Sequence, residues 1–393
     1  MSMEYTKLKN INEYESESIN PMKTPDTVFE MYSVPMYETG HPEYLRGSDI
    51  GSNKVLVKKD DVLLCKINPR INRVWVVADE SEYQNIASSE WIVVRSMTYN
   101  PEYLAWYFRS PRFKKRMTSE VTGMGGSLTR AQPRAVAEYP IPVIPRQKQD
   151  DITLILNKVH SVIMLRKKEL QRLDELIKAR FVETFGEPID NPMEWPVKRL
   201  KEISLLITNG NTPKGGSKNY VEKGVTFLRS QNVWRNRIKL DDVAYIDDDT
   251  HRNMKKSILK HKDILITKTG RINTDNSSLG RAALYLGEDD KANINGHVYL
   301  VRLTSDAVPE YVVTILTGEA YRKYIRKVCV GGIDKRQINV DQVENFPIIM
   351  PPIEMQKDFA TFKEQVDKSK VAVQRALDET QLLFDSLMQK YFG

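Results

Sequence analysis

The sequence predicts an α+β fold: two similar mixed domains, each followed by one long helix, with the helices paired as an antiparallel coiled coil about a pseudo-twofold. Three observations carry this. The stretch "EYPIPVIPRQKQDD" (138–151) returns as "NFPIIMPPIEMQKDF" (345–359), with Pro140 and Pro347, Gln149 and Gln356, and Asp151 and Asp358 each 207 residues apart. The repeat continues without a gap, through runs free of proline and glycine, to "ETFG" (183–186) and "KYFG" (390–393). Short β-branched runs precede both copies, and strands alternating with helices in this way make a mixed domain.

The opening "YTKLKNIN" is echoed by "VKRLKEIS" at the start of the second copy. Strands are expected at "NKVLVKKDDVLLCKI", "RVWVVA" and "EWIVVR" in the first copy, and at "VTFLRS", "KDILITK", "AALYLGE" and "VYLVRL" in the second. "DVLLCKINPRIN" resembles "DILITKTGRIN", and "ASSEWIVVR" lies over "INGHVYLVR". "PEYLAWYFRSPRFKKRMTSEV" and "PEYVVTILTGEAYRKYIRKV" each read as a helix opened by proline. Glycine-rich loops follow, "GMGGSLTRAQ" (123–132) and "CVGGIDKRQIN" (329–339). A period of about 200 residues is too long for a solenoid and means two domains of one kind.

From Gln147 to Phe185 nothing interrupts a helix of about 58 Å. Leu156, Val159, Ile163, Leu170, Leu173 and Ile177 fall in steps of three and four, with Arg166 at the one missing place. The second copy offers Phe359, Val366, Val373, Leu377, Phe384 and Leu387, interrupted by Lys363, Lys370 and Thr380. Such seams take a coiled-coil partner. Pairing with each other is the economical solution; the alternative is that each stripe packs on its own domain. Two like domains on an antiparallel helix pair make a ruler, and duplex DNA is a periodic polymer to measure.

The chain has 393 residues, 40% apolar and 28% charged, with a net charge of +7. That charge favours a polyanion, although many soluble proteins carry as much without one. Two isolated cysteines, Cys65 and Cys329, exclude a disulfide framework and fit a reducing cytoplasm. No apolar run reaches the roughly 20 residues of a membrane span, and "MSMEYTKLKN" has no signal-peptide core.

No enzyme emerges. "NPEY" (100–103) approaches the Asn/Asp-Pro-Pro-aromatic motif of amino-methyltransferases, but Glu102 stands at the second proline and the matching "VPEY" lacks the asparagine. "TGMGGS" lacks the spacing of a dinucleotide loop, and no GxxxxGK[ST] loop occurs. His41, His160, His251, His261 and His297 form no HxxxH or HExxH pair.

The order of "WPVKRLKEISLLITNGNTPKGG", "KDILITKTG" and "GGIDKRQINVDQVENFPIIMPPIEMQKDF", together with the duplicated "FG" helix ends, resembles the specificity subunit of type I restriction-modification systems over essentially the whole chain. The first copy departs from it, with "KINPRIN" for "KTGRIN" and a longer segment where the second has "ITNGNTP". The resemblance implies target-recognition domains at 1–145 and 191–351 and conserved helices at 146–190 and 352–393. It implies a non-catalytic, cytoplasmic, sequence-specific DNA-binding subunit for a bipartite double-stranded target. Two methyltransferase (modification) subunits would carry S-adenosylmethionine for adenine-N6 methylation. Restriction/translocase subunits using ATP and Mg would be further partners, with no membrane and no cofactor in this chain. The competing reading is a stand-alone DNA-binding regulator or coiled-coil scaffold.

For base reading, Arg on guanine and Asn or Gln on adenine are the favoured pairs. "KINPRINR" supplies Lys66, Arg70, Asn72 and Arg73, and "KTGRINTDN" supplies Lys268, Arg271, Asn273 and Asn276, at matching places just after a strand. "FLRSQNV" adds Arg229, Gln231 and Asn232, whose counterpart is either "YLRGSDI" or "YSVPM". Ser127, Arg130, Lys335 and Arg336, after the glycine pairs, suit phosphates. A solvated basic loop is the plain alternative for each. "SPRFKKR" and "YRKYIRK" read as solvated helix faces.

Overall fold

The computed structural model describes residues 4–78, 80–122, 129–213, 215–274 and 276–393. They belong to two compact units, Met1–Lys168 with Gln374–Gly393, and Glu169–Val373.

In the first unit, strand Tyr5–Lys7 pairs antiparallel with Pro140–Pro142. A five-stranded sheet runs in the order Ser18–Ile19, Lys54–Leu56, Gln84–Ala87, Val28–Tyr32 and Glu43–Arg46, with Val28–Tyr32 parallel to Gln84–Ala87. A three-stranded sheet has Val62–Cys65 at its centre between Val74–Val76 and Trp91–Val94. The second unit repeats the plan. Val197–Arg199 pairs with Pro347–Ile349, Val225–Leu228 lies parallel to Ala292–Ile294, and Ile264–Thr267 lies antiparallel to Val298–Leu303. Ser204–Asn209 adds a further strand to this last sheet.

The repeated prolines open a strand at the unit's edge, where a missing N–H is tolerated. Their carbonyls are used: Tyr107 Oη donates to Pro140 O at 2.5 Å and Tyr321 Oη to Pro347 O at 3.2 Å. The repeated glutamine has an equally specific task. Gln149, 2% exposed, accepts the Asn100 main-chain N–H at 2.8 Å and donates to Ile144 O at 3.0 Å. Gln356, 1% exposed, accepts from Val308 N at 3.1 Å and donates to Pro351 O at 2.9 Å. Each glutamine thus bolts the first turn of a long helix to the residue that caps the proline-opened helix.

Those proline-opened segments are not single helices. Pro101–Arg109 ends at Ser110, and Pro111–Ser119 begins anew with Ser110 Oγ accepting from Phe113 N at 3.3 Å. Pro111 cannot continue the first helix and pushes Ser110 into extended backbone. In the second unit Gly318 makes the same break between Pro309–Thr317 and Glu319–Val328.

Both long helices, Arg146–Phe185 and Ile353–Phe392, are continuous over 40 residues. In the first unit His160 meets Phe384 at 6.0 Å, while Ile152 and Leu156 share a core with Met388 and Phe392. In the second, Phe181 and Phe185 lie 5.4 and 5.7 Å from Phe359, and Asp174 holds Lys370 Nζ at 2.6 Å. In each unit one helix's numbers rise as the other's fall, so the pairing is antiparallel. The alternative packing is realised as well. Phe392 sits 5.5 Å from Tyr103, and its repeat mate Phe185 sits 5.0 Å from Tyr311, so seam and domain form one core in each unit.

Candidate nucleic-acid interface

In the second unit, strand Thr269–Arg271 pairs with Lys335–Gln337, which pairs with Val330–Gly331. Arg271 lies opposite Lys335, and Gly270 opposite Arg336. The "KTGRIN" and "GGIDKRQ" segments, distant in sequence, are therefore one small sheet. It closes on Gly270, where a Cβ would lie 2.2 Å from Leu279 N and nothing but glycine fits. Arg271 is solvent-exposed and only 3.4 Å from exposed Asp334, a pairing that costs little to break. Lys335 is exposed, and Arg336 donates to Gly332 O at 3.2 Å. Lys268 is half-buried over the Tyr299 ring. Asn273 and Asn276 are exposed on the following loop.

The first unit brings the matching segments together through Asn68 N to Thr129 O at 2.8 Å and Ala131 N to Lys66 O at 2.9 Å. Ile338 N to Lys268 O, 3.0 Å, is the corresponding bond in the second unit. This register sets Ala131 against Ile338, and so Arg130 against Gln337 and Thr129 against Arg336. Arg130 and Arg336, which look alike in sequence, therefore occupy register positions one residue apart within their own units. In place of a strand, the first unit has the turn Pro69–Ile71, flanked by Asn68 and Asn72 at φ 49° and 55°, a left-handed conformation asparagine tolerates. Arg70 projects from that turn, exposed. Asn72 turns inward to donate to Phe108 O at 3.2 Å. Arg73 is largely covered and 3.7 Å from Glu38; Arg130 pairs with Glu90 at 3.3 Å; Lys66 is half-buried. Ser127 lies outside the described residues.

Arg229, Gln231 and Asn232 bind one another's surroundings. Asn232, 2% exposed, accepts from Arg229 N at 2.9 Å and donates to Lys239 O and Asp242 O at 3.0 and 2.9 Å. The Arg229 guanidinium and the Gln231 amide both end on Asp242, at 3.0 and 2.5 Å. Between them they frame a β-hairpin, Val233–Trp234 with Arg237–Ile238. Two-residue strands among cations carry no sequence periodicity, so the pattern reads as loop. The parallel strand pairing makes "YSVPM", not "YLRGSDI", the first unit's counterpart: Val28–Tyr32 leads into the turn Pro35–Thr39, where Tyr37 packs 6.0 Å from Trp75.

Beneath the hairpin, burial and the nearby charge of Arg235 lower the pKa of Arg281 from its usual value. Among the described residues no group of His, Cys, Asp or Glu is placed to hold a metal ion, and no helix is long and apolar enough to cross a membrane.

A family model described as the type I restriction modification DNA specificity domain matches residues 192–380. The putative type I restriction enzyme MjaX specificity subunit of Methanocaldococcus jannaschii is 23% identical over 202 residues, 51% of this chain and 46% of its own length. This chain therefore spans under half the length of that relative. The MjaVIII specificity subunit of the same organism is 21% identical over 83% of this chain and 78% of its own. The EcoKI specificity subunit of Escherichia coli is 20% identical over 74% and 64%. Among solved structures, a type I restriction-modification S subunit from M. genitalium is alike over 100% of this chain and 96% of its own, with a TM-score of 0.59 at 11% identity. A chain from a type I R-M system, solved to explain complex assembly and conformational transition, is alike over 99% and 97%, with a TM-score of 0.56 at 19% identity. These two likenesses are likenesses of fold. Residues 192–380 thus match the type I restriction modification DNA specificity domain, and the whole chain is similar in fold to the two solved chains.

Proposed function

We propose that this chain is the sequence-specific DNA-recognition subunit of a type I restriction-modification complex, that each unit reads one half of a bipartite duplex target, and that the chemistry resides in partner subunits. The observation that carries this reading is a conserved internal frame bearing different loops. The proline strand, the glutamine bolt and the parallel strand pair are repeated between the units. The surface set on that frame is not: Arg70 rises from a tight turn, Arg271 from a strand edge beside Lys335. A scaffold kept while its exposed side chains change is what two readers of different base sequences require.

On this reading two modification subunits use S-adenosylmethionine to methylate adenine, and restriction subunits, where present, supply ATP- and Mg-dependent translocation. This chain brings them to their site. The test is to map methylated bases genome-wide in cells with and without the chain. Loss of one bipartite methyladenine motif is the expected result. An unchanged methylation pattern in cells whose partner subunits are otherwise active overturns the reading.

A further inference from the structure

The basic hairpin of the second unit has no place in the sequence expectations. Trp234 Nε1 donates to Gln231 O at 2.9 Å, which fixes the indole, and three cations gather on its ring: Arg281 and Lys239 at 4.0 Å and Arg237 at 5.7 Å. Arg281 is 8% exposed, and its guanidinium donates to the main-chain carbonyls of Ser277 (2.9 Å) and Asn276. Neither these three nor Arg235 forms an ion pair with a described carboxylate. Cations gathered on one aromatic ring repel each other unless an anion is supplied, and among the described residues no carboxylate pairs with them.

The hairpin is held at its turn by Asn236. Asn236, at φ 56°, donates its main-chain N–H to Ala282 O at 2.9 Å and accepts from Thr317 Oγ1 at 3.2 Å. Its neighbour Arg235, at the tip, is exposed. The carbonyls that hold Arg281 belong to the loop running on from Arg271, so hairpin and strand edge are joined by one segment. At the same point of the frame the first unit carries an aromatic turn in place of a hairpin.

We infer that the hairpin Val233–Ile238 enters a groove of the target duplex, that Arg235 reads a base edge there, and that Trp234 on Arg281 positions it. A two-stranded ribbon is one of the shapes the major groove admits, and arginine on guanine is its commonest specific contact. Arg237 and Lys239, flanking the ring, hold phosphates. The inference rests on the DNA-recognition reading and names the element that does the reading in one unit.

The experiment uses the chain assembled with its modification subunits. Wild type and the variants Arg235→Ala, Arg237→Ala, Trp234→Ala and Trp234→Phe are each used to select from a duplex library randomised at both half-sites, at two salt concentrations. Arg235→Ala should lose about tenfold or more of its discrimination at one base pair of one half-site and leave the other half intact. Arg237→Ala should weaken all sequences alike and reduce the salt slope by about one. Trp234→Ala should broaden the same half-site as Arg235→Ala, and Trp234→Phe, which keeps a π face, should restore it. If wild type selects a bipartite duplex and Arg235→Ala selects the identical one at equal affinity, the hairpin inference is overturned while the recognition reading stands. If wild type selects no duplex, both fall.

Discussion

Asp61 and Arg95 form a bidentate pair: Arg95 Nε donates to one carboxylate oxygen and Nη2 to the other, both at 2.7 Å, while the Lys58 main-chain N–H adds a third bond at 2.8 Å. Asp263 and Arg302 reproduce it in the second unit at 2.8 and 2.7 Å, with Lys260 N at 2.7 Å. In each case the carboxylate is almost wholly buried and the arginine about a quarter exposed. Two charges taken this far out of water persist only with complete partners.

Removing the acid strands a guanidinium over an apolar sheet. Asp61→Ala and Asp263→Ala should each lower stability by about 3 kcal/mol. Denaturant unfolding checks this, and a wild-type midpoint for either would contradict it.

Gln149→Ala and Gln356→Ala remove two hydrogen bonds and leave the Asn100 or Val308 N–H buried without its acceptor. Each should cost about 2 kcal/mol. Hydrogen exchange supplies the sharper check: protection should fall first at Asn100–Tyr103 in the one variant and Val308–Tyr311 in the other.

His160 lies 5.2 Å from Trp106 and 6.0 Å from Phe384 in the first unit. Partial burial, then the charges of Arg109 and Lys167, lower its pKa. The unfolded chain therefore binds the proton more readily, and stability falls as pH drops from the ordinary histidine value of about 6.5 towards the lower folded one. His160→Gln should flatten that part of the stability–pH curve. An equally steep curve in the variant would assign the slope to other groups.

The repeat made much of this fold legible. An offset of 207 exposes the helix ends Phe185 and Phe392, and seam spacing exposes Leu156 and Phe359. What stayed hidden depends on long-range pairing. Nothing local announces that Thr269–Arg271 pairs with Lys335–Gln337, or that Arg130 holds the place in the first unit that Gln337, rather than Arg336, holds in the second. Asn72 and Asn232 have the chemistry of adenine readers, yet their amides serve main-chain carbonyls at 3.2 and 3.0 Å, which only the folded backbone brings near. The domain expectations set each long helix apart, whereas packing joins residues 146–168 to the first unit and 169–185 to the second, because the seam aromatics also serve the domain cores.

Arg336 lies opposite Gly331 in the small sheet and donates to Gly332 O at 3.2 Å, a basic side chain at a glycine turn that suits a phosphate. Arg336→Ala should weaken binding of every duplex sequence alike and reduce the salt slope by about one. Affinity measured for specific and scrambled duplexes at several salt concentrations checks it; a loss confined to one base position would assign Arg336 to base reading instead.

The claim that each unit reads its own half of the target is tested most directly by one comparison. The complex containing Arg70→Ala and the complex containing Arg271→Ala are each presented with every single-base variant of the wild-type target. The two substitutions should relax different halves, each by about 1–3 kcal/mol at one position. Relaxation of the same half by both, or no change in either half, would contradict it.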